Sequence, residues 1–189
     1  MPKVVDQEQR REDIVRAFGR VVRREGLAGA SVRAVAAEAN LSPGALRHYF
    51  DRQDGLIHFA AASMYQQVAL RVQAVRSELG DGDGLAVLEE LMPLDERRRD
   101  EFDVWLALVV AGASDPALAT ISRESHEGIA RVCRDALIRA GVKEPSPDQV
   151  RDVHAVVDGL SLHLSLYPDT MTPATARRIL RERFNGCAG

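Results

Sequence analysis

Cysteine is scarce: only Cys133 and Cys187 occur, far apart and in no metal-spaced pattern. That argues against a disulfide framework or a zinc-ligand set, and both read as incidental thiols. No apolar run approaches the roughly 20 residues that a membrane-spanning helix needs. The stretch Met1–Arg24 is charged and lacks the apolar centre of a signal peptide. The expectation is a soluble, cytoplasmic chain with no membrane association. Alternating strand patterns bounded by turn residues are missing, as are internal repeats and low-complexity tracts. So are a glycine-rich phosphate loop, a metal cluster and a nucleophile motif. No cofactor and no catalysis are expected, which leaves a helical enzyme as the weaker alternative.

What remains is helical pattern and an uneven charge. Apolar residues make up 46% of the 189, enough for a packed core. The net charge of −3 does not suggest a nucleic-acid binder. Its distribution does: residues 1–50 hold nine basic and six acidic side chains, while the remainder is acidic. Ser42-Pro43, Asp115-Pro116, Ser146-Pro147 and Thr172-Pro173 each pair a capping residue with proline at the first helical position. With the apolar periodicity these starts predict an all-α chain of nine helices, over about 7–25, 32–39, 43–50, 52–79, 85–92, 96–113, 116–140, 147–166 and 173–184.

The second and third helices are joined by a very short turn at Asn40-Leu41, and asparagine tolerates the left-handed conformation such a turn needs. Two short helices so linked read as a helix-turn-helix, residues 31–50. Val32, Val35, Ala36 and Ala39 share one face; Leu41, Leu46 and Phe50 can pack on them and on Phe18 and Val21. The other face of the third helix then presents Pro43, Gly44, Arg47 and His48, with Tyr49 at its edge. Small residues come first and donors follow, as a helix entering a major groove requires. Arg47 suits guanine O6/N7 or phosphate, His48 and Tyr49 suit phosphate, and Ser31, Arg33 and Ser42 stand at helix starts where donors gather. The competing reading is an interaction module with a merely solvated polar face.

The segment Ala30–Phe50, reading ASVRAVAAEANLSPGALRHYF, resembles the DNA-binding signature of TetR-family regulators. The likeness covers about residues 7–59. It implies an N-terminal DNA-binding domain at 7–59 and a regulatory ligand-binding and dimerisation domain at 60–189. It also implies a homodimer on a palindromic operator and a repressor released by a small-molecule effector. Ser31, Arg33, Ser42, Pro43, Gly44, Arg47, His48 and Tyr49 stand where that family touches DNA. Family members often carry Gly where this chain has Asn40, Tyr where it has Arg47, and Lys where it has Gln53. The last difference removes an expected phosphate contact. The segments Leu94–Arg98, Val104–Leu106, Val157–Leu160 and Met171–Pro173, with Asp169, are similar to the BetI-like subgroup. Aromatics are too few there for the cage that a quaternary ammonium wants.

For the effector, Phe59, Met64, Trp105, Leu106, His126 and His163 are the expected lining, apolar with a few polar groups. The eighth helix is apolar almost all round and the ninth is amphipathic, so about 147–184 is the expected dimer interface. His154 and Asp158, four apart on that helix, read as a hydrogen-bonded interface pair.

Overall fold

A computed structural model of the chain describes residues 3–47, 50, 52–79 and 83–188. Among these, helices are the only regular elements: α1 (Lys3–Gly29), α2 (Val32–Glu38), α3 (Pro43–Arg47), α4 (Gln53–Leu79), α5 (Gly84–Glu89), α6 (Glu96–Gly112), α7 (Pro116–Arg139), α8 (Pro147–Leu166) and α9 (Pro173–Ala188). The all-α expectation holds. Two compact units emerge, residues 1–67 with 103–121, and residues 68–102 with 122–189, so α4, α6 and α7 each contribute to both.

In the first unit, Ile14, Ala17, Phe18, Val21 and Val22 of α1 form the apolar stripe that the sequence pattern gives. They pack with Val35 and Ala36 of α2, Leu46 of α3, and Leu56, Ala60 and Met64 of α4. Phe18 and Leu46 are fully buried, and each such side chain contributes about 1.5–3 kcal/mol of transfer free energy. Gly26 at φ 73°, ψ 175° interrupts α1, as a glycine after the last periodic position should. Ser31 then caps α2, its Oγ accepting from Ala34 N at 3.2 Å. Asn40 has φ 56°, so the turn between α2 and α3 uses the left-handed conformation expected of it. The described part of α3 is Pro43–Arg47; Phe50 is not itself helical, though its N–H donates to Leu46 O at 2.9 Å.

In the second unit, α8 lays Val150, Val153, Val157, Leu160 and Leu164 against Ala176, Leu180 and Phe184 of α9 and Cys133, Ala136 and Leu137 of α7. Ser146 and Gln149 form the capping box that starts α8. Two ends differ from expectation. The fifth helix stops at Glu89 instead of Met92: Leu91 N and Met92 N turn to the i−3 carbonyls of Leu88 and Glu89, at 3.0 and 3.2 Å, in a tightened last turn ahead of Pro93. The last helix runs on to Ala188, where Gln149 Nε2 donates to Cys187 O at 2.7 Å.

At Gly84 two backbones of this unit approach closely. A Cβ there would lie 2.2 Å from the backbone oxygen of Ala136 and 3.0 Å from Phe184 Cζ. A backbone oxygen cannot swing aside, so Gly84→Ala forces α5 away from α7. Overpacking of this kind costs about 1–3 kcal/mol, and urea unfolding should show the midpoint falling accordingly. An unchanged midpoint would mean that the close approach is not real.

Candidate nucleic-acid interface

The helix-turn-helix is held from behind by charge as well as by packing. Arg20 Nε on α1 donates to Glu38 Oε1 at 2.6 Å, and Arg24 Nη1 donates to Glu38 Oε2 at 3.0 Å. Hydrogen bonds from Arg20 and then Arg24 hold the Glu38 carboxyl below its ordinary range. These groups are partly open to water, so the pair is worth little as stabilisation. Its consequence is directional: one α2 carboxylate is fixed against α1. Sequence reading missed Glu38. The signal was its position near the end of α2, with Arg20 and Arg24 one turn apart on α1.

On the outward side, Arg33, Ser42, Pro43, Gly44 and Arg47 are exposed and Ser31 is half-buried. Arg47 has no hydrogen-bond or ion-pair partner among the described residues. Ser42 Oγ accepts from Ala45 N at 3.1 Å. A hydroxyl accepting one bond keeps its own proton to donate, so the Ser31 and Ser42 caps both retain a donor for a phosphate oxygen. Pro43 and Gly44 put no bulk at the start of α3, and a Cβ on Gly44 would find only Ser42 Oγ, 4.0 Å away. His48 and Tyr49, expected to join this face, lie outside the described residues, as does Asp51.

The candidate effector residues fall into two groups. Phe59, Met64, Trp105 and Leu106 belong to the first unit and His126 and His163 to the second. Met64 is buried in the first core, and Phe59 and Trp105 pack against it. The Phe59 ring lies 4.8 Å from Phe50 and carries the Arg11 guanidinium 5.5 Å from its centroid. In the second unit the exposed His163 meets Tyr167 edge-on at 5.5 Å, and the exposed His126 stacks on His154 at 4.7 Å.

His154 is 6% exposed, with Nε2 3.4 Å from Asp158 Oδ2. Burial first, and the neighbouring His126 second, push its pKa down. Burial raises the Asp158 carboxyl to about 6 against the opposing pull of His126. Of the pair, the imidazole is buried against His126 of α7 in the same chain, while the Asp158 side chain stays 41% exposed. Cys133, fully buried, has its thiol pushed up to about 12 by burial and then by Asp158, which fits an inert core thiol. Among the described residues no helix is long and apolar enough to cross a membrane.

Comparison with known proteins covers nearly the whole chain. Residues 14–59 match the family described as bacterial regulatory proteins, tetR family, and residues 83–188 match the BetI-type transcriptional repressor C-terminal family. The HTH-type transcriptional regulator PksA of Bacillus subtilis is 34% identical over 96% of this chain and 91% of its own length. A transcriptional regulator from Rhodococcus has a crystal structure that superposes with a TM-score of 0.79 at 32% identity, covering 94% of this chain and 95% of that one. The multidrug binding protein EbrR, solved complexed with malachite green, gives a TM-score of 0.64 at 28% identity, covering 92% and 96%.

Proposed function

Because this chain belongs to the TetR family of bacterial regulatory proteins and is a DNA-binding transcriptional regulator, we propose that it represses its targets from a palindromic operator and leaves it on binding a small molecule. Residues 7–59 are the DNA-reading domain and 60–189 the regulatory one. Ser31, Arg33, Ser42, Pro43, Gly44, Arg47, His48 and Tyr49 make the contacts, with Arg47 at a base edge or phosphate and the serines on phosphates. The observation that carries this is the open α3 face, where the Arg47 side chain is exposed and unpaired among the described residues. A homodimer through about 147–184 sets two such faces roughly 34 Å apart, one helical turn of DNA. This regulator meets its DNA in the cytoplasm.

The effector is an uncharacterised small molecule. That a relative binds malachite green supports a site for an organic compound. Phe59, Met64, Trp105, Leu106, His126 and His163 are the proposed lining. A ligand-bound structure that touches only the first four, or only the two histidines, would decide which group serves. Release requires that the effector bind the non-reading conformation more tightly than the reading one.

A gel shift with the DNA upstream of the protein's own gene and its neighbours tests the central claim. The expected result is a specific shift whose affinity falls steeply as salt rises, since neutralised phosphates release counterions. No shift at low salt across those fragments would sink it.

A further inference from the structure

The residue where the family often carries a phosphate-gripping lysine is Gln53, and here its amide is already engaged inside the protein. Gln53 Nε2 donates to Leu27 O at 3.1 Å and, more weakly, to Ala28 O at 3.4 Å. The reason lies in the local backbone. Gly26 leaves the helical region at φ 73°, so residues 27–29 make a short last turn before Ser31 starts α2. The final carbonyls of a helix have no partner from their own ladder and must find one elsewhere. Ala30 N reaches Leu27 O at 3.2 Å and Ser31 N reaches Gly29 O at 2.7 Å. Gln53, the first residue of α4, supplies a further donor from 26 positions along the chain.

The two ends of that hydrogen bond bracket the helix-turn-helix. Leu27 and Ala28 lie just before Ser31, and Gln53 just after Phe50. We infer that Gln53 is a positioning residue for DNA recognition: its side chain clasps the start of α4 to the end of α1, closing the base on which α2 and α3 are presented. This rests on the DNA-binding function stated above and adds to it a residue that touches no DNA. A glutamine suits the role because its amide is neutral, so it can bind two carbonyl oxygens without a buried charge. Its neighbours supply packing to the same base: Phe50 against Phe59 on one side, Leu56 and Ile57 in the core on the other. The clasp fixes orientation where those apolar contacts, which are non-directional, do not.

Gln53→Met keeps the length and removes the donor; Gln53→Lys restores a donor of similar reach. Amide exchange of residues 28–34 in the free protein should quicken about three- to tenfold in Gln53→Met, the scale set by loss of one or two net hydrogen bonds. Affinity for the DNA fragment that the wild-type protein shifts should fall about five- to tenfold at 25 °C, where the variant is still fully folded. A merely structural role would lower the melting temperature and leave that affinity alone. In the free protein, where no phosphate is present, Gln53→Lys should return the exchange of residues 28–34 to within about twofold of wild type, since its ammonium can donate to the same carbonyls. Unchanged exchange, or affinity unchanged in Gln53→Met, overturns the clasp. So does exchange in Gln53→Lys that stays as fast as in Gln53→Met. If the wild-type protein shifts no fragment, the DNA-binding reading fails, and the exchange measurement still reads the clasp by itself.

Discussion

Arg47→Ala should lower operator affinity by about one to two orders of magnitude, because a bidentate arginine pair with a base is worth roughly 1–3 kcal/mol. The side chain is exposed at the last position of α3 and unpaired among the described residues, so its removal takes nothing from the fold. Melting temperature and dimer mass should stay at their wild-type values. Two further measurements say what the guanidinium grips. If it reads a base, preference at one operator position relaxes and Arg47→Lys fails to restore it, since an ammonium lacks the planar fork. If it grips phosphate, affinity falls about equally for all sequences, the salt slope drops by roughly one, and lysine rescues. Unaltered affinity in Arg47→Ala, with the variant folded, would mean that Arg47 makes no DNA contact and that the operator is read by other side chains.

The legible parts of this molecule were local. A capping residue followed by proline marks a helix start because the missing proline N–H is one that no helix turn would use. Helices α3, α7, α8 and α9 begin at those prolines. Asn40 was readable because few residues accept a positive φ. The less legible parts depend on residues distant in sequence. Arg23 Nε reaches Asp103 at 2.5 Å across 80 positions, and Arg177 Nε reaches Glu89 at 2.8 Å across 88. No spacing rule points to such pairs.

The division of α4, α6 and α7 between two compact units is of that kind. A periodic pattern gives a helix its apolar face but not the neighbour that covers it. Phe59 shows the consequence for the site. It is expected among the effector lining, and nothing in the sequence signals that its ring packs on Phe50 while Arg11 lies over it. Gln53 shows the reverse. It was read as a contact missing relative to the family, whereas the tertiary structure gives its amide a partner.

The dimer prediction follows from what α8 leaves uncovered. Its Val150, Val153, Val157, Leu160 and Leu164 are used up within the chain. A second stripe, Ala155, Gly159, Leu162 and Leu166, repeats at helical spacing on the outside, and the structure leaves all four exposed. Leu162 is 36% and Leu166 52% exposed, with Tyr167 beyond them at 54%. A Cβ added at Gly159 meets nothing within 4 Å, so this stripe has room for a second helix to approach closely.

The double variant Leu162→Arg, Leu166→Arg places charge where the twofold partner would bring the same charge. Light scattering should show a monomer at micromolar concentration. Operator affinity should fall about 100-fold or more, because the second half-site is no longer held at an effective concentration of the order of millimolar. Leu70→Arg and Val110→Arg are the controls: they alter side chains 56% and 64% exposed on α4 and α6, outside the proposed interface, and should remain dimeric. If the double variant does not fold alone, as in an obligate dimer, the milder Leu166→Ser should still shift the monomer–dimer equilibrium toward monomer. Dimers persisting in every α8 variant would place the twofold contact on another face, and the two recognition helices with it.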